Sequence, residues 1–279
     1  MKILLAILIL LTIVLLGLAV LVVLDRRADR AEWDRLVALQ SEDPRVFDDE
    51  MVADLPEPAR RYFTYVIRPR TPLLPVAEIE MTGQFSLGAK NNPRYQPMEA
   101  RQVLAAPEGF VWAMKTTGGM PVAGSDSGLW TRFRIFGLLP VARAGGNADH
   151  ARSAFGRYVS EAVIWTPAAL LPGPGVTWTA VDDDTARVTV RRGALSQAVD
   201  VTVDAEGRPE LVSFDRWTNA NPDKTYRLQP FGAVVSDFRE VGGYRVPFYV
   251  EAGNLFGTDD YFPFFIADVT EIRFPGVRP

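Results

Sequence analysis

From Glu78 to Leu87 the chain alternates with a period of two. Glu78, Glu80, Thr82, Gln84 and Ser86 interleave with Ile79, Met81, Gly83, Phe85 and Leu87. That rhythm sends successive side chains to opposite faces, so it fits a half-buried strand rather than a helix. Strand-like runs recur over residues 98–104, 110–115, 129–136, 176–181, 186–191, 199–203, 211–215, 234–239, 244–250 and 264–274. Turn chemistry separates many of them, as at Pro107-Glu108-Gly109, Asp182-Asp183-Asp184, Ala205-Glu206-Gly207 and Gly242-Gly243. Strands joined by turns this short must pair antiparallel, because a parallel pair needs a long crossover. The expected fold class is therefore mainly β (α+β): a large curled antiparallel sheet or unclosed barrel with one or two packed helices.

Two segments break the alternation. Leu55, Ala59, Tyr62, Phe63 and Val66 form an apolar stripe at helical spacing, with Asp54 expected as the cap, Pro56 in the first turn and Glu57 at the capping-box position. Arg60 and Arg61 fall off the stripe, where solvent exposure is the simplest reading. A second helix is expected from an Asp149 cap to about Ile164, stopped by Trp165-Thr166-Pro167.

The opposite end of the chain carries a different constraint. Ile3 to Leu24 is 22 residues without a charge, rich in Leu, Ile and Val. As a helix at ~1.5 Å per residue it would reach ~33 Å, enough for a ~30 Å hydrocarbon core. The run is longer than the apolar part of a cleaved signal and continues past the nearest small-residue site, Gly17-Leu18-Ala19, so an uncleaved transmembrane helix is expected. The short basic stub before it favours an extracytoplasmic domain and a single-pass protein of the bacterial inner membrane, although Arg26, Arg27, Arg30 and Arg35 after the span argue the other way. The resulting division is an anchor over 1–24, a juxtamembrane helix and linker over 25–54, and one β-rich domain over 55–279.

Composition removes several function classes. With 30 basic against 34 acidic residues and no basic cluster, the chain lacks a nucleic-acid footprint. Without cysteine it has neither thiolate chemistry nor cysteine metal sites, and its single histidine, His150, cannot build a multi-histidine centre. No phosphate-binding glycine motif occurs, so no cofactor and no metal are expected. Gly124-Ser125-Asp126-Ser127-Gly128 contains Asp-Ser-Gly, but a triad with His150 has the reverse chain order of serine proteases that carry that sequence.

Two sets of residues remain as candidate sites. Asp126, Arg132, Asp149, His150, Arg157, Glu161, Asn254, Asp259 and Asp260 form a polar set drawn from loops and helix ends. Arg157 and Glu161 stand four apart on one helical face, which suits an ion pair. Trp112, Trp130, Phe133, Phe256 and Phe264 form an aromatic set that either fills the concavity of a curled sheet or lines an apolar pocket there.

Several long segments together carry a family resemblance: LPEPARRY (55–62), GSDSGLWTRFRIFGLLPVARAGG (124–146), NADHARSAFGRYVSEAV (147–163), WTPAALLP (165–172), RLQPFG (227–232), YRVPFYVEAGNLFGTDDYFPFF (244–265) and the final IRF (272–274). The pattern resembles an uncharacterised bacterial domain-of-unknown-function family often found behind N-terminal spans, over about Leu55 to Phe274. One departure is that Glu161 and Trp165 have three residues between them, where the family spacing is Glu-x-x-Trp-x-Pro. The architecture is similar to lipoprotein-carrier folds of the bacterial envelope, unclosed barrels whose concave face holds acyl chains. The resemblance implies no activity.

Three functions fit these observations. The foremost is a membrane-anchored envelope protein binding a lipid or other hydrophobic ligand in the concave face. A structural protein docking a partner chain is the second, and a hydrolase-type enzyme using clustered carboxylates, with Arg holding an anionic group, is the third.

Overall fold

The computed structural model describes residues 1–276; the last three residues of the expected domain, 277–279, lie outside the described residues. Thirteen strands form one antiparallel sheet, in the order β6-β5-β4-β3-β2-β1-β13-β12-β11-β10-β9-β8-β7. Every neighbour in that order is also a neighbour in sequence, except where β1 (Ala77–Ser86) pairs with β13 (Phe265–Arg273) and joins the two halves. Strands β2 to β6 span Tyr95–Ala105, Gly109–Thr116, Val122–Ser127, Trp130–Ile135 and Leu139–Gly145. Strands β7 to β12 span Val176–Ala180, Thr185–Arg192, Leu195–Val203, Pro209–Thr218, Arg227–Val241 and Tyr244–Asn254. Edges β6 and β7 do not pair, so the curl stays open, as expected.

Two strands were not anticipated. β4 reads VAGSDS, too small and polar to alternate, and β6 reads LPVARAG, an edge strand carrying Pro140 and exposed along most of its length.

The helix α3 (Ala148–Trp165) connects the two edge strands by crossing the inside of the curl, against β9, β10 and β12. Its N-terminus is capped by Asn147, whose side chain accepts from the His150 backbone N–H at 2.8 Å, and not by Asp149. Gly156 lets the helix lie close to the sheet, since a Cβ there would sit 2.7 Å from Gln197 Oε1 and 3.2 Å from the Phe214 ring. The helix α2 (Glu57–Val66) starts without a side-chain cap, so Asp54 does not play that role. Ala59, Tyr62, Phe63 and Val66 are buried as the stripe requires. Arg61 is not merely solvated: it donates to the Asp183 and Asp204 carbonyls at 2.6 and 2.8 Å and pairs with Glu57 and Asp184.

Helices α2 and α3 are joined through the core. The Tyr62 hydroxyl donates to the Val163 carbonyl at 2.7 Å, and Trp178 packs tilted against Tyr62 and edge-on to Phe63. Val188, Val190, Val199, Val201 and Val203 close this side of the interior, each at most 2% exposed.

The apolar N-terminal segment is the first part of one continuous helix, α1 (Lys2–Val37), long and apolar enough to cross a membrane. Its C-terminal half lies on the outer face of β2–β6, opposite α3. Leu18, Leu21, Val22, Asp25, Asp29, Trp33 and Leu36 form the covered stripe. Leu36 packs with Val76, Val103, Ala105 and Val111, while Trp33 Nε1 donates to Glu78 at 2.8 Å.

Candidate functional site

Residues on the inner face of β2–β5 stand in one cross-strand row: Gln102 opposite Trp112, Trp112 opposite Asp126, and Asp126 opposite Thr131. Alternation places all four side chains under α3. From the helix, Arg157 donates to Asp126 at 2.6 Å and to Glu161 at 2.7 Å. Gln102 donates to the other oxygen of Glu161 at 2.7 Å, and Thr131 donates to Asp126 at 2.5 Å. Burial works against the Arg157 charge, but the two carboxylates outweigh it and hold the guanidinium above its ordinary value. The Arg157–Glu161 pair expected from helical spacing thus belongs to a larger, satisfied network.

Trp112, Asp126 and Thr131 of this row, with Arg157 and Glu161, form the floor of a cavity of about 620 Å³ between α3 and the sheet. Phe133 and Ile135 of β5, Phe214 of β10, Phe231 of β11, Ala252 of β12 and Phe264 supply mostly apolar walls, with Ile164 and Trp165 contributed by α3. A packed interior has few voids larger than a water molecule, so this half of the concavity is hollow. The mouth opens at the end of the sheet that carries the β1–β2, β3–β4 and β5–β6 turns. Leu87, Met120 and Val141 line it, exposed at 64%, 48% and 55%. Phe136 and Leu139 continue the apolar rim at 72% and 49%.

Arg216, on β10, also faces the cavity. Its alternation partners Val212 and Phe214 are core residues, so a charge stands where the pattern calls for an apolar side chain. Its Nε is shielded from solvent and has no hydrogen-bond partner among the described residues. Burial, with the like charge of Arg157, pushes this guanidinium down to about 10 despite the pull of Asp126 and Glu161.

The structure separates several residues that the sequence grouped. Asp126, Arg157 and Glu161 meet at the floor, and His150 Nε2 lies 3.3 Å from the Thr131 hydroxyl beside it. Arg132 and Trp130 belong to the outer face: Asp126 pairs with Thr131 across the β4–β5 turn, so odd positions of β5 point inward and even ones outward. There Trp130 Nε1 donates to Ser125 at 3.0 Å, and Ser125 donates to Asp29 at 2.8 Å. Ser125 and Ser127 therefore face away from His150, and no triad is assembled. Asp149 accepts from Trp217 Nε1 at 2.9 Å. Asn254 ends β12, while Asp259 and Asp260 sit on an exposed turn. Of the aromatic set, Trp112, Phe133 and Phe264 line the cavity, whereas Phe256 packs against Gly232 and Tyr261 outside it. Gln102 and Arg216 were missed.

On the outer face a second charged cluster fixes α1. Asp25, 4% exposed, accepts from Arg134, from Arg143 at 2.7 and 2.9 Å, and lies 3.2 Å from Arg132. Three guanidiniums around one carboxylate leave a positive excess where the apolar helix departs. Arg134 is one residue from Ile135 in the cavity wall, so the helix exit and the mouth lie at the same end of the β5–β6 hairpin.

The chain is similar in fold to several solved proteins at low identity. A LolA superfamily protein from Nitrosomonas europaea shares 10% identity at a TM-score of 0.40, covering 78% of this chain and 91% of the other. A putative outer membrane lipoprotein-sorting protein domain from Vibrio parahaemolyticus shares 10% at 0.37, covering 81% and 91%. A DUF1329 family protein from Desulfovibrio piger shares 8% at 0.35, covering 72% and 86%. No curated protein matches the chain. Residues 45–266 match the DUF6544 family, and the chain belongs to that family of unknown function.

Proposed function

We propose that this protein is a membrane-anchored envelope protein that holds a lipid or other hydrophobic ligand in the hollow half of its sheet. The observation that carries the reading is the cavity of about 620 Å³, mostly apolar and open at one end. Its size falls in the range of small-molecule sites, about 300–1,000 Å³. A void of this kind forgoes the dispersion contacts of a packed core, a cost that an apolar occupant offsets.

The placement of the mouth supports the anchor reading. Half-buried Leu18, Leu21 and Val22 lie within the 22-residue apolar stretch, so the domain reaches along the span itself. An apolar rim of Leu87, Met120, Phe136, Leu139 and Val141 beside the Asp25–arginine cluster suits a bilayer surface, with these side chains in the acyl boundary and the exposed Arg143 guanidinium at anionic head groups. Ligand then passes between membrane and cavity without crossing open water.

Native mass spectrometry of the full chain extracted from its membrane tests the proposal. The expected result is a retained mass above that of the bare chain, matching a lipid, and its loss in Ala252→Phe, which fills the cavity wall. A clean bare-chain mass together with no uptake of fluorescent fatty acid would overturn it.

A further inference from the structure

We infer that the occupant sits head-first, with an anionic acceptor head, a carboxylate or phosphate on a single long chain, seated on Arg216 and Trp112 and its tail running to the mouth. This deepens the lipid-holding reading and rests on it.

Two polar atoms in the cavity lining are shielded from solvent and have no partner among the described residues: Arg216 Nε and Trp112 Nε1. Both are donors, and neither can accept. A buried donor left unpaired is costly, so such groups call for an acceptor. The neighbouring carboxylates are already committed. Asp126 takes Arg157 and Thr131, and Glu161 takes Arg157 and Gln102. No carboxylate lies within 4.0 Å of the Arg216 guanidinium among the described residues. What the cavity lacks is oxygen lone pairs at its closed end.

A carboxylate or phosphate supplies them in the geometry that a guanidinium fork matches. The lowered Arg216 pKa fits the same conclusion, since burial and the like charge of Arg157 outweigh the pull of Asp126 and Glu161. A cationic head would meet two guanidiniums instead. Away from the floor the walls turn apolar, with Phe133, Ile135 and Phe264 leading to Leu87 and Met120, which suits a hydrocarbon chain and no second polar group.

The test uses the full chain in detergent with equimolar palmitate, hexadecyl phosphate, methyl palmitate and hexadecylamine, read by native mass spectrometry. The two anions should be retained at least about tenfold over the ester and the amine, and the stronger of the two names the head. Arg216→Gln should weaken anion retention by about 10- to 100-fold, as expected for a charge-assisted hydrogen bond, and weaken that of methyl palmitate, a neutral acceptor, by only about two- to threefold. Trp112→Phe should weaken it by several-fold, and serves where Arg216→Gln fails to fold. Palmitate carrying a photoreactive group at its terminal carbon should label Leu87, Met120 or Val141. Equal retention of all four compounds, or labelling at Trp112, would overturn the head-first placement while leaving a lipid site standing. Retention of none would overturn the lipid-holding reading itself.

Discussion

The two halves of the sheet are built alike and filled differently. In β7–β9 the inward valines meet α2 and α3 together, and Tyr62, Phe63 and Trp178 occupy the space between. In β3–β6 only α3 covers the inner face; over the cavity it contributes the charged pair Arg157–Glu161 with Ile164 and Trp165, and about 620 Å³ stays open. One meander thus yields a rigid wall and a hollow one, according to how many apolar helix faces reach it. Stability should reside in the first half and ligand capacity in the second.

The most damaging substitutions should be those that treat the filled half as expendable. Phe63→Ala removes a fully buried ring and should cost about 3–5 kcal/mol, seen as a large fall in chemical-denaturation midpoint. Phe133→Ala, a change of the same chemistry in the hollow half, should cost far less because its ring already borders open space. Equal losses at the two positions would erase the distinction.

Arg157→Met should come next, at about 3–5 kcal/mol, since it leaves Asp126 and Glu161 without their shared cation. A fall in chemical-denaturation midpoint no larger than that of a surface substitution would mean that the network does not hold α3 to the sheet. Asp25→Asn should weaken the docking of α1 by about 2–3 kcal/mol, the worth of a charge-assisted hydrogen bond at the high end, and speed amide exchange in residues 25–37 without loosening β7–β12.

Ala252→Phe should shift stability by about 1 kcal/mol or less, because the added ring enters a void, and abolish ligand retention. The smallest effect concerns Asp29. Burial raises its carboxyl pKa despite the hydrogen bond from Ser125. A group raised on docking favours the docked helix below its ordinary pKa and loses that contribution as pH rises through the raised value. Asp29→Asn should therefore slightly strengthen docking at pH 7 and change nothing at pH 3, as amide exchange of the same segment would report.

The sequence disclosed the sheet because most strands have one wet face and one dry face, and the alternation survives in the residue order. It concealed β4 and β6 because Gly124, Ser125 and Pro140 carry no such contrast. The site was legible in part. Arg157 and Glu161 announce themselves by helical spacing, but Arg132 and Trp130 could be assigned to the outer face only once the β4–β5 turn fixed the parity of β5. Gln102 and Arg216 did leave a signal. Gln102 interrupts the apolar series Met98, Ala100, Leu104, and Arg216 follows Val212 and Phe214 in phase, each a polar residue at a core position. The hollow itself had no sequence signature, because the same aromatic residues can fill a concavity or line one. Only the reach of α2 and α3 decides between those outcomes.

A high-resolution structure of the full chain in lipid nanodiscs would test the central claim most directly. Elongated density is expected between α3 and β3–β5, ending against Arg216, with Phe133, Phe231 and Phe264 held back as walls. Those three rings turned inward to close the space, with no room left for an occupant, would contradict it.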